Sequence, residues 1–559
     1  MKKIYLLLAA FGCISAGAFA QSAIDAYRFS QPDLRGTARF MSMGGAFGAL
    51  GGDLSSLSQN PAGIGVYRSN EIGFTLDLDF QNAKSTSPGF NTTQNQTKFY
   101  LDNIGGVATL RLPSSTVPNL NFGFTYNKAV SFNRRYRGAM GLATSMTNYM
   151  AGIANNEGIT VADVSSTGTY DPYNPTDGGI AAPWLTILGY DSFLINPEGN
   201  PDNPNWNGLY GNGTYGTGSF DVTESGSVDE YNIALGGNIS NVVFWGMNFD
   251  IINFDYKIDA LWGESLDNAY VVNHNNNQLG VTNADWGMRN LYRANGTGFN
   301  YQLGVIVKPV QELRLGLAFH TPTWYNLTET FSASTQLNAY NSVVGAKTNN
   351  GYAGSNEVNF TSPWKLIVSA AGVIGSKFII SADYEWNGYN NMKFSEPNSY
   401  YGYDGWYDYD DWGDFSGAPA TRSGYDSFGA TNNDVKNIYR STNTLRVGAE
   451  YRITPQFSVR AGYSFVSSPV KAEASNNRET IYTAGTLPDY RFDNTTNYVT
   501  CGLGYKHNGF YVDLAYVYKH MNSEYHAFTP DPTVPEIPSP QAKLSLNNSR
   551  LILSAGFKF

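Results

Sequence analysis

The sequence lacks any run of about 20 consecutive apolar side chains, the length that a transmembrane α-helix requires. Charged residues are also few, at 15% of the chain. One apolar stretch, Ile4 through Ile14, lies near the start but is too short to span a bilayer as a helix. If the mature protein lies in a membrane, it must therefore cross it with β-strands.

Histidine and cysteine are scarce, which limits the chemistry that the chain can perform. There are five His residues, well separated, and neither a Gly-x-Ser-x-Gly nor a His-Glu-x-x-His motif occurs. An outer-membrane esterase or protease is thus the weaker alternative, and we expect neither enzymatic activity nor a cofactor. Only Cys501 would remain after removal of an N-terminal leader, which excludes an intramolecular disulfide and a Cys-based metal cluster.

The first 20 residues, Met1 to Ala20, have the pattern of a secretory signal peptide. Lys2 and Lys3 precede the apolar run, and Ala18-Phe19-Ala20 provides a small-x-small cleavage site. Cys13 could be a lipoprotein acceptor, but Phe11-Gly12 before it fits that alternative poorly. Loss of both lysines changes the net charge from −10 to about −12, so nucleic acid is not an expected partner.

Aromatic residues are abundant, with 39 Tyr, 32 Phe and 10 Trp, and such side chains sit well at a water–hydrocarbon boundary. The final segment, Leu551 to Phe559, alternates apolar with small or polar residues and ends on an aromatic. This pattern is typical of the closing strand of an outer-membrane β-barrel, although the last strand of a soluble sandwich would also alternate. We expect lipid on its outer face and recognition by the barrel-assembly machinery through the strand ending at Phe559.

The same alternation predicts about fourteen strands, and hence an all-β transmembrane antiparallel barrel. The predicted strands are 71–80, 98–112, 120–132, 229–239, 242–261, 297–309, 312–331, 357–373, 377–395, 441–453, 456–468, 496–507, 509–523 and 546–559. The connections alternate between tight turns and long loops, notably 134–228 and 396–440. Outer-membrane barrels have short periplasmic turns and long extracellular loops, whereas a soluble sandwich has no reason for this parity. Residues 71–559 therefore form one domain in the outer membrane of a Gram-negative bacterium.

In one predicted strand, the apolar residues change from one face to the other halfway along its length. Val243 to Ile251 place apolar residues at odd positions, whereas Ile252 to Ala260 place them at even positions. This switch predicts a bulge or kink near Ile251. Such a bend could serve only to help the barrel curve.

Residues 21–70 lack strand periodicity and are rich in Gly, Ala and Ser, which permit close backbone packing in a confined lumen. Asn60, Pro61 and Ala62 form a turn just before the first strand. From these residues alone, the segment could be an ordinary capping segment or a small helix beneath the barrel.

The chain resembles the FadL/TodX family of outer-membrane transporters for long-chain fatty acids and other hydrophobic compounds. The resemblance consists of the signal peptide and five motifs: MGGAFGAL at 43–50 followed by Asn60-Pro61-Ala62, a first strand at Glu71, Ser362-Pro363-Trp364, ADYEWNGYNNM at 382–392, and 445–470 ending in Ser-Pro-Val. It implies a fourteen-stranded barrel with 21–70 as an N-terminal hatch, and with Asn60, Pro61 and Ala62 at its functional core. It also implies that a ligand caught outside enters a lumen pocket and leaves sideways beside a kinked strand when the hatch shifts. The bend predicted near Ile251 is the candidate for that exit.

Two segments of the long loop have helical apolar spacing and are candidates for ligand binding. Gly141 to Ile153 contains Met146 and Met150, whose soft side chains suit adaptable apolar contacts. The segment 181–195 contains Trp184, Leu185, Leu188 and Phe193. These helices could pack on each other over the barrel mouth, line a groove for an apolar ligand, or do both.

Strand parity places a set of charged side chains on the lumen face, and buried charges normally occur in pairs. They are Arg314, Lys365, Asp383, Glu385, Arg446, Glu450, Arg452, Arg460, Asp513 and Arg550. We expect most of them to form ion pairs that hold the N-terminal segment to the wall. One unpaired arginine, Arg446 or Arg460, is predicted to meet a ligand carboxylate.

The leading functional prediction is therefore hatch-gated passive uptake of hydrophobic small molecules, with long-chain fatty acids as the expected ligand. An interaction protein on the same barrel is the alternative, either a secretion-system shuttle or a surface receptor. Hemin capture by His520 and His526 would be one form of such a receptor. The acidic aromatic stretch 400–415 is expected to be a solvated loop, in preference to a Ca²⁺ or sugar site.

Overall fold

A computed structural model describes residues 22–166, 170–172, 182–273, 276–375, 377–397, 428–476, 481, 483, 485–531, 533–534 and 536–559. The chain forms a closed antiparallel β-barrel of fourteen strands, which confirms the predicted fold class. Each strand pairs with the next, and the last pairs with the first from Glu71–Lys558 to Thr86–Lys543. The predicted signal peptide and the acidic stretch 400–415 lie outside the described residues.

Several wall strands consist of two collinear segments separated by a short break. The strands are β1 (Glu71–Ser87), β2 (Phe90–Arg111), β3 (Asn119–Ser131 and Arg134–Gly141), β4 (Tyr215–Ile239), β5 (Val243–Asn273), β6 (Gln278–Val310), β7 (Leu313–His320 and Trp324–Ala339), β8 (Gly354–Thr361 and Lys365–Ile374), β9 (Phe378–Asn387 and Lys393–Ser395), β10 (Thr442–Arg452), β11 (Phe457–Val466), β12 (Tyr490–His507), β13 (Phe510–His526) and β14 (Gln541–Lys558). Ser342–Lys347 adds a short arm to β7, and Asn196–Asn200 pairs with Asn203–Asn207 in a separate hairpin.

The helices lie inside the barrel or above it. They are α1 (Ala23–Ser30), α2 (Ala38–Ser42) and α3 (Ser56–Gln59) in the N-terminal segment, and α4 (Met146–Glu157), α5 (Val161–Val164), α6 (Trp184–Asp191) and α7 (Gly429–Ile438) in the extracellular connections. Short 3₁₀ turns occupy Pro61–Val66, Thr348–Gly351, Tyr389–Asn391 and Ala474–Asn476. Among the described helices, none is long and apolar enough to cross a bilayer.

The lower part of the wall has an apolar exterior and a polar interior. On β3, Phe122 and Phe124 point outward and are 52% and 56% exposed, whereas Asn121 and Thr125 point inward and are buried. A soluble protein has the reverse arrangement, with apolar residues inside and polar residues outside. The arrangement seen here is typical of strands whose outer face contacts lipid. The fold thus agrees with the predicted location in the outer membrane.

The predicted bulge near Ile251 is wrong. β5 pairs in continuous register with β4 and β6 from Val243 to Leu266, and even-numbered residues point inward throughout. The apolar side chains change face because the strand leaves the membrane. Below Ile251 its lipid-facing residues are apolar, whereas above it Asp255 and Lys257 point outward and the inward residues join an apolar core.

The wall rises further than the periodicity predicted, because β5 and β6 are 31 and 33 residues long. The ends of the predicted loop 134–228 belong to β3 and β4. The first extracellular connection is also only a tight turn between Ser87 and Phe90. The extensions of β1 and β2, 81–87 and 90–97, escaped prediction because polar residues occupy both of their faces and leave no apolar alternation. Among the described residues, the predicted tight turns at 113–118, 240–241, 309–311, 454–455 and 507–508 are present.

Candidate functional site

The N-terminal segment 22–70 fills the barrel lumen, and Asn60 organises its centre. The Asn60 side chain donates a hydrogen bond to the Gly48 carbonyl at 2.6 Å. It also accepts one from the Ala62 amide at 3.0 Å, which caps the 3₁₀ turn beginning at Pro61. The triplet predicted to be important is therefore the point where two parts of this segment are tied together.

Two wall glycines form the surface on which the Asn60–Ala62 triplet rests. Gly246 of β5 lies directly opposite Gly304 of β6. A Cβ atom added to Gly246 would overlap the Pro61 carbonyl, and one added to Gly304 would overlap the Asn60 side-chain oxygen. The close approach of the triplet to the wall thus requires glycine at both positions.

A buried group of six charges, the Arg550 cluster, fastens the segment to the wall. Its members are Asp33, Arg35, Asp77, Asp102, Lys519 and Arg550. Arg35 contacts Asp102 at 2.6 Å and Asp77 at 3.3 Å, and Arg550 contacts Asp77 at 2.5 Å and Asp102 at 2.9 Å. Three positive charges thus face three negative charges. The prediction that most of the named lumen charges hold the N-terminal segment through ion pairs is not confirmed. Arg550 pairs with the wall residues Asp77 and Asp102, whereas Glu450 does pair with Arg39 of the segment.

Asp33 is the carboxylate that the N-terminal segment contributes to this cluster. Burial disfavours its charge, but Lys519 at 3.1 Å and Arg35 at 2.7 Å outweigh burial and hold the pKa of Asp33 well below its usual range. Arg550 also donates a hydrogen bond to the Leu34 carbonyl at 2.7 Å. Residues 33–35 are therefore held to the wall by both backbone and side chains.

The prediction that Arg446 or Arg460 is unpaired is wrong for both. Arg446 pairs with Glu385 at 2.8 Å. Arg460 pairs with Glu450 at 2.7 Å and with Asp513 at 2.6 Å, and Glu450 also meets Arg39 of α2. Parity identified the lumen face of these residues correctly, but it could not show which carboxylates on neighbouring strands lie opposite them.

A central cavity of about 200 Å³ lies between the N-terminal segment and the wall. Its lining includes the apolar Phe29, Ile252 and Tyr325, together with a polar group formed by Glu385 and Arg446. Lys365 also lines the cavity and is exposed to it, and among the described residues it forms no ion pair. Glu230 and Glu385 line the same cavity and interact electrostatically with Lys365 over a longer distance. The cavity therefore combines apolar surface with a lysine that no described carboxylate contacts directly.

The hydrogen-bonded ladder between β2 and β3 ends well below the top of both strands in the described part of the chain. Their ladder ends at Asn103–Asn127, and above this pair no backbone ladder joins the described residues of the two strands. On the β3 side, Ala129 is an extra residue relative to β4, and the strand breaks before Arg134. We name this unpaired stretch, between 90–102 and 128–131, the lateral seam.

Side chains fill the lateral seam. The Ser131 hydroxyl donates a hydrogen bond to the Tyr100 hydroxyl at 3.1 Å, and the Arg35 guanidinium lies 4.7 Å from the centre of the Tyr100 ring. A cavity of about 50 Å³ reaches from Asp33 and Arg35 to the outward-facing Arg135. The N-terminal segment therefore lies between the central cavity and a narrow opening in the wall.

The extracellular helices pack on each other over the barrel mouth. Met146 and Met150 of α4 and Leu185 and Leu188 of α6 are buried, and the partly buried Trp184 packs its ring on Phe331 at 5.4 Å. Phe193 is also partly buried against this apolar core. Ligand binding by these residues stays a prediction, since here they close the mouth.

A buried carboxylate anchors this cap to the wall. Glu264 of β5 accepts hydrogen bonds from the Ser145 hydroxyl at 2.5 Å and from the Met146 amide at 2.9 Å. It also accepts from the indoles of Trp262 at 2.8 Å and Trp286 at 3.1 Å. No sequence pattern predicts this anchor, because Glu264 lies more than a hundred positions after Ser145 and Met146.

His520 and His526 lie six positions apart on one strand, which corresponds to about 20 Å in extended geometry. The His520 ring bonds the Asn547 side chain at 2.7 Å, and the buried His526 ring stacks on Tyr490 at 4.7 Å. Two axial ligands of one haem iron must lie on either side of it, so this pair does not form a hemin site.

Comparison with known proteins decides the family. Residues 238–527 match the family model described as outer membrane protein transport protein (OMPP1/FadL/TodX). The chain belongs to the FadL/TodX family. This result confirms the resemblance drawn from the motifs.

The chain is also similar to solved structures at low identity. A Pseudomonas aeruginosa FadL homologue is 11% identical, with 95% of this chain and 100% of that chain covered and a TM-score of 0.50. The toluene transporters TodX of P. putida and TbuX of Ralstonia pickettii are 12% and 13% identical, cover 94% of this chain and 99% and 98% of their own, and have TM-scores of 0.47 and 0.42. No curated protein matches the chain.

Proposed function

We propose that this FadL/TodX family protein is a passive channel through which hydrophobic small molecules with an anionic end enter the outer membrane, with long-chain fatty acids as the leading candidates. The N-terminal segment 22–70 acts as the hatch. A ligand held in the central cavity leaves sideways through the lateral seam when the hatch moves. Arg446 lines the central cavity, and the cap residues Met146, Met150, Trp184, Leu185, Leu188 and Phe193 keep their proposed place along the ligand path. Arg460 does not line this cavity and has no proposed role in ligand binding.

The lateral seam is the observation that carries this proposal. A closed barrel loses stability wherever backbone groups are left without ladder partners, so an unpaired stretch in one strand pair needs a reason. The outward residues at its lower end, Phe99 and Leu101, are apolar and exposed. A molecule that passes between β2 and β3 would therefore reach the upper part of the lipid layer without crossing the whole lumen.

Joining the two sides of the seam is expected to abolish transport. The variant carries Tyr100→Cys and Ser131→Cys in a Cys501→Ser background, because Cys501 is an exposed native thiol. A short bifunctional maleimide should link the two thiols, whose parent side chains are in contact. Uptake of a fluorescent fatty acid into proteoliposomes should fall to the background of empty vesicles, while each single-cysteine variant treated with the same reagent keeps its uptake. Full uptake by the cross-linked protein would contradict the lateral route.

Lys365→Ala is expected to weaken uptake of a fatty acid about tenfold or more, since a hydrogen bond to a charged group contributes about 1.5–3 kcal/mol. The reason is that Lys365 lines the cavity and no described carboxylate contacts it directly. Uptake of the matching neutral alcohol should stay unchanged, and Lys365→Arg should retain most of the fatty-acid uptake. Equal losses for the acid and the alcohol would show that Lys365 supports the wall and does not recognise a carboxylate.

A further inference from the structure

A β-bulge in β2 turns two consecutive side chains into the lumen. In the pairing with β1, Thr75 faces Asn103 and Leu76 faces Leu101, so Asp102 is the extra residue. Successive side chains of a regular strand point to opposite faces, yet Asp102 and Asn103 are both fully buried. The bulge lies at the lower end of the lateral seam.

The two bulge residues contact different parts of the molecule. Asp102 pairs with Arg35 of the hatch at 2.6 Å. Asn103 donates a side-chain hydrogen bond to Asn127 of β3, and this residue pair is also the last rung of the ladder below the seam. Asn127 in turn donates to Asn232 of β4, so a row of buried amides continues the contact along the wall. One bulge thus contacts both the hatch and the strand across the seam.

The cluster around Asp102 can survive departure of the hatch. Arg550 of β14 contacts Asp102 at 2.9 Å and Asp77 at 2.5 Å, so both wall carboxylates keep a cation when Arg35 leaves. The hatch removes one positive and one negative charge together, Arg35 and Asp33, and leaves the wall part of the cluster neutral. Release therefore avoids the large cost of stranding an unpaired buried carboxylate.

We propose that the Asp102–Asn103 bulge couples the position of the hatch to the length of the lateral seam. While Arg35 holds Asp102, the bulge presents Asn103 to Asn127 and the ladder stays closed at that rung. When Arg35 leaves, Asp102 keeps only its contact with Arg550 of β14. The bulge then relaxes, the Asn103–Asn127 contact breaks, and the seam extends downward toward the lipid-facing residues. Asp102 and Asn103 are positioning residues for the transport proposed above, on which this inference rests.

The test compares Asp102→Asn with Asp77→Asn in the full-length protein. Both variants remove one buried carboxylate from the same cluster, but Asp77 lies on β1, which is paired on both sides and carries no bulge residue. Spin labels on Phe99→Cys and Phe124→Cys, in the Cys501→Ser background, report the separation of β2 and β3 by pulsed electron resonance. Amide hydrogen exchange across 33–42 reports release of the hatch.

We expect Asp102→Asn to increase hatch exchange and to shift the β2–β3 distance to longer values. Asp77→Asn should increase hatch exchange with the distance unchanged. Asn103→Ala, which acts beyond the hatch contact, should lengthen the distance while hatch exchange stays at the wild-type level. All variants should keep the heat-modifiable migration of a folded barrel in gels, in which the unheated protein runs ahead of the heated one.

Two results would overturn the coupling: an Asp102→Asn variant whose β2–β3 distance does not change, or equal lengthening in the Asp102 and Asp77 variants. Neither result contradicts the proposed function. That function is contradicted if the wild-type protein does not take up a fatty acid, or if the protein with the cross-linked seam still transports it. The two proposals can therefore be rejected independently.

Discussion

Arg550→Ala is expected to lower the free energy of unfolding of the barrel by about 3–5 kcal/mol, the cost of breaking a buried ion pair by removing one partner. Arg550 is 1% exposed and is the cation that Asp77 and Asp102 share. Its loss leaves Arg35 alone to compensate both carboxylates. It also removes the hydrogen bond to the Leu34 carbonyl. The attachment of the hatch and the packing around the β1–β14 pairing are therefore weakened by the same substitution. Urea unfolding in lipid vesicles, followed by tryptophan fluorescence, measures the change.

Arg289→Ala is the matched control, because it also removes an arginine that contacts an aspartate at 2.7 Å. That pair lies outside the barrel with side-chain exposures of 57% and 40%, so its loss is expected to cost about 1 kcal/mol or less. A deficit as small as that of the control would show that the Arg550 cluster does not stabilise the barrel.

The barrel itself could be predicted because lipid imposes a simple rule on every strand that crosses it. In β3, for example, apolar residues at even positions and polar residues at odd positions follow directly from lipid outside and water or hatch inside. The extensions above the lipid could not be predicted in the same way, because there both faces of a strand tolerate polar residues.

The error at Ile251 has the same origin. An apolar set that moves from odd to even positions can mean an inserted residue, or it can mean that the two faces exchange environments. In β5 the environments change, since Asn248 points into the polar lumen and Phe254 points into the apolar extracellular core. A bulge does lie at Asp102, where the outward apolar residues change from the odd positions Phe99 and Leu101 to the even position Ile104. There the change of parity does reflect an inserted residue.

The sequence indicated which residues of the N-terminal segment lie in the lumen, but not which wall residues they contact. The glycine-rich segment and Asn60-Pro61-Ala62 are local signals, because small residues and a turn are visible in sequence. The wall residues on which this triplet packs are Gly246 and Gly304. They are two among 59 glycines and lie more than 180 positions after the triplet. Long-range pairings such as Arg35 with Asp102 depend on strand register, which a single sequence does not fix to one residue.

Gly246→Ala is expected to displace the Asn60–Ala62 triplet and leave the channel leaky. The added Cβ would overlap the Pro61 carbonyl, and a backbone atom cannot turn away as a flexible side chain can. Overpacking of this kind costs about 1–3 kcal/mol, and moving the hatch relieves the clash while the fourteen-strand ladder stays intact. Single-channel conductance in planar bilayers should therefore rise above the wild-type level, and exchange of the Asn60 and Ala62 amides should increase.

Gly263→Ala on the same strand provides the control for this result. The nearest atoms to a Cβ at Gly263 are 3.5 and 3.6 Å away, an ordinary contact distance, so its conductance should match that of the wild type. Gly304→Ala should behave like Gly246→Ala, because its Cβ would overlap the Asn60 side chain from the neighbouring strand. If both of these variants kept wild-type conductance and amide protection, the triplet would not be what holds the hatch in place, and the Arg550 cluster would have to hold it alone.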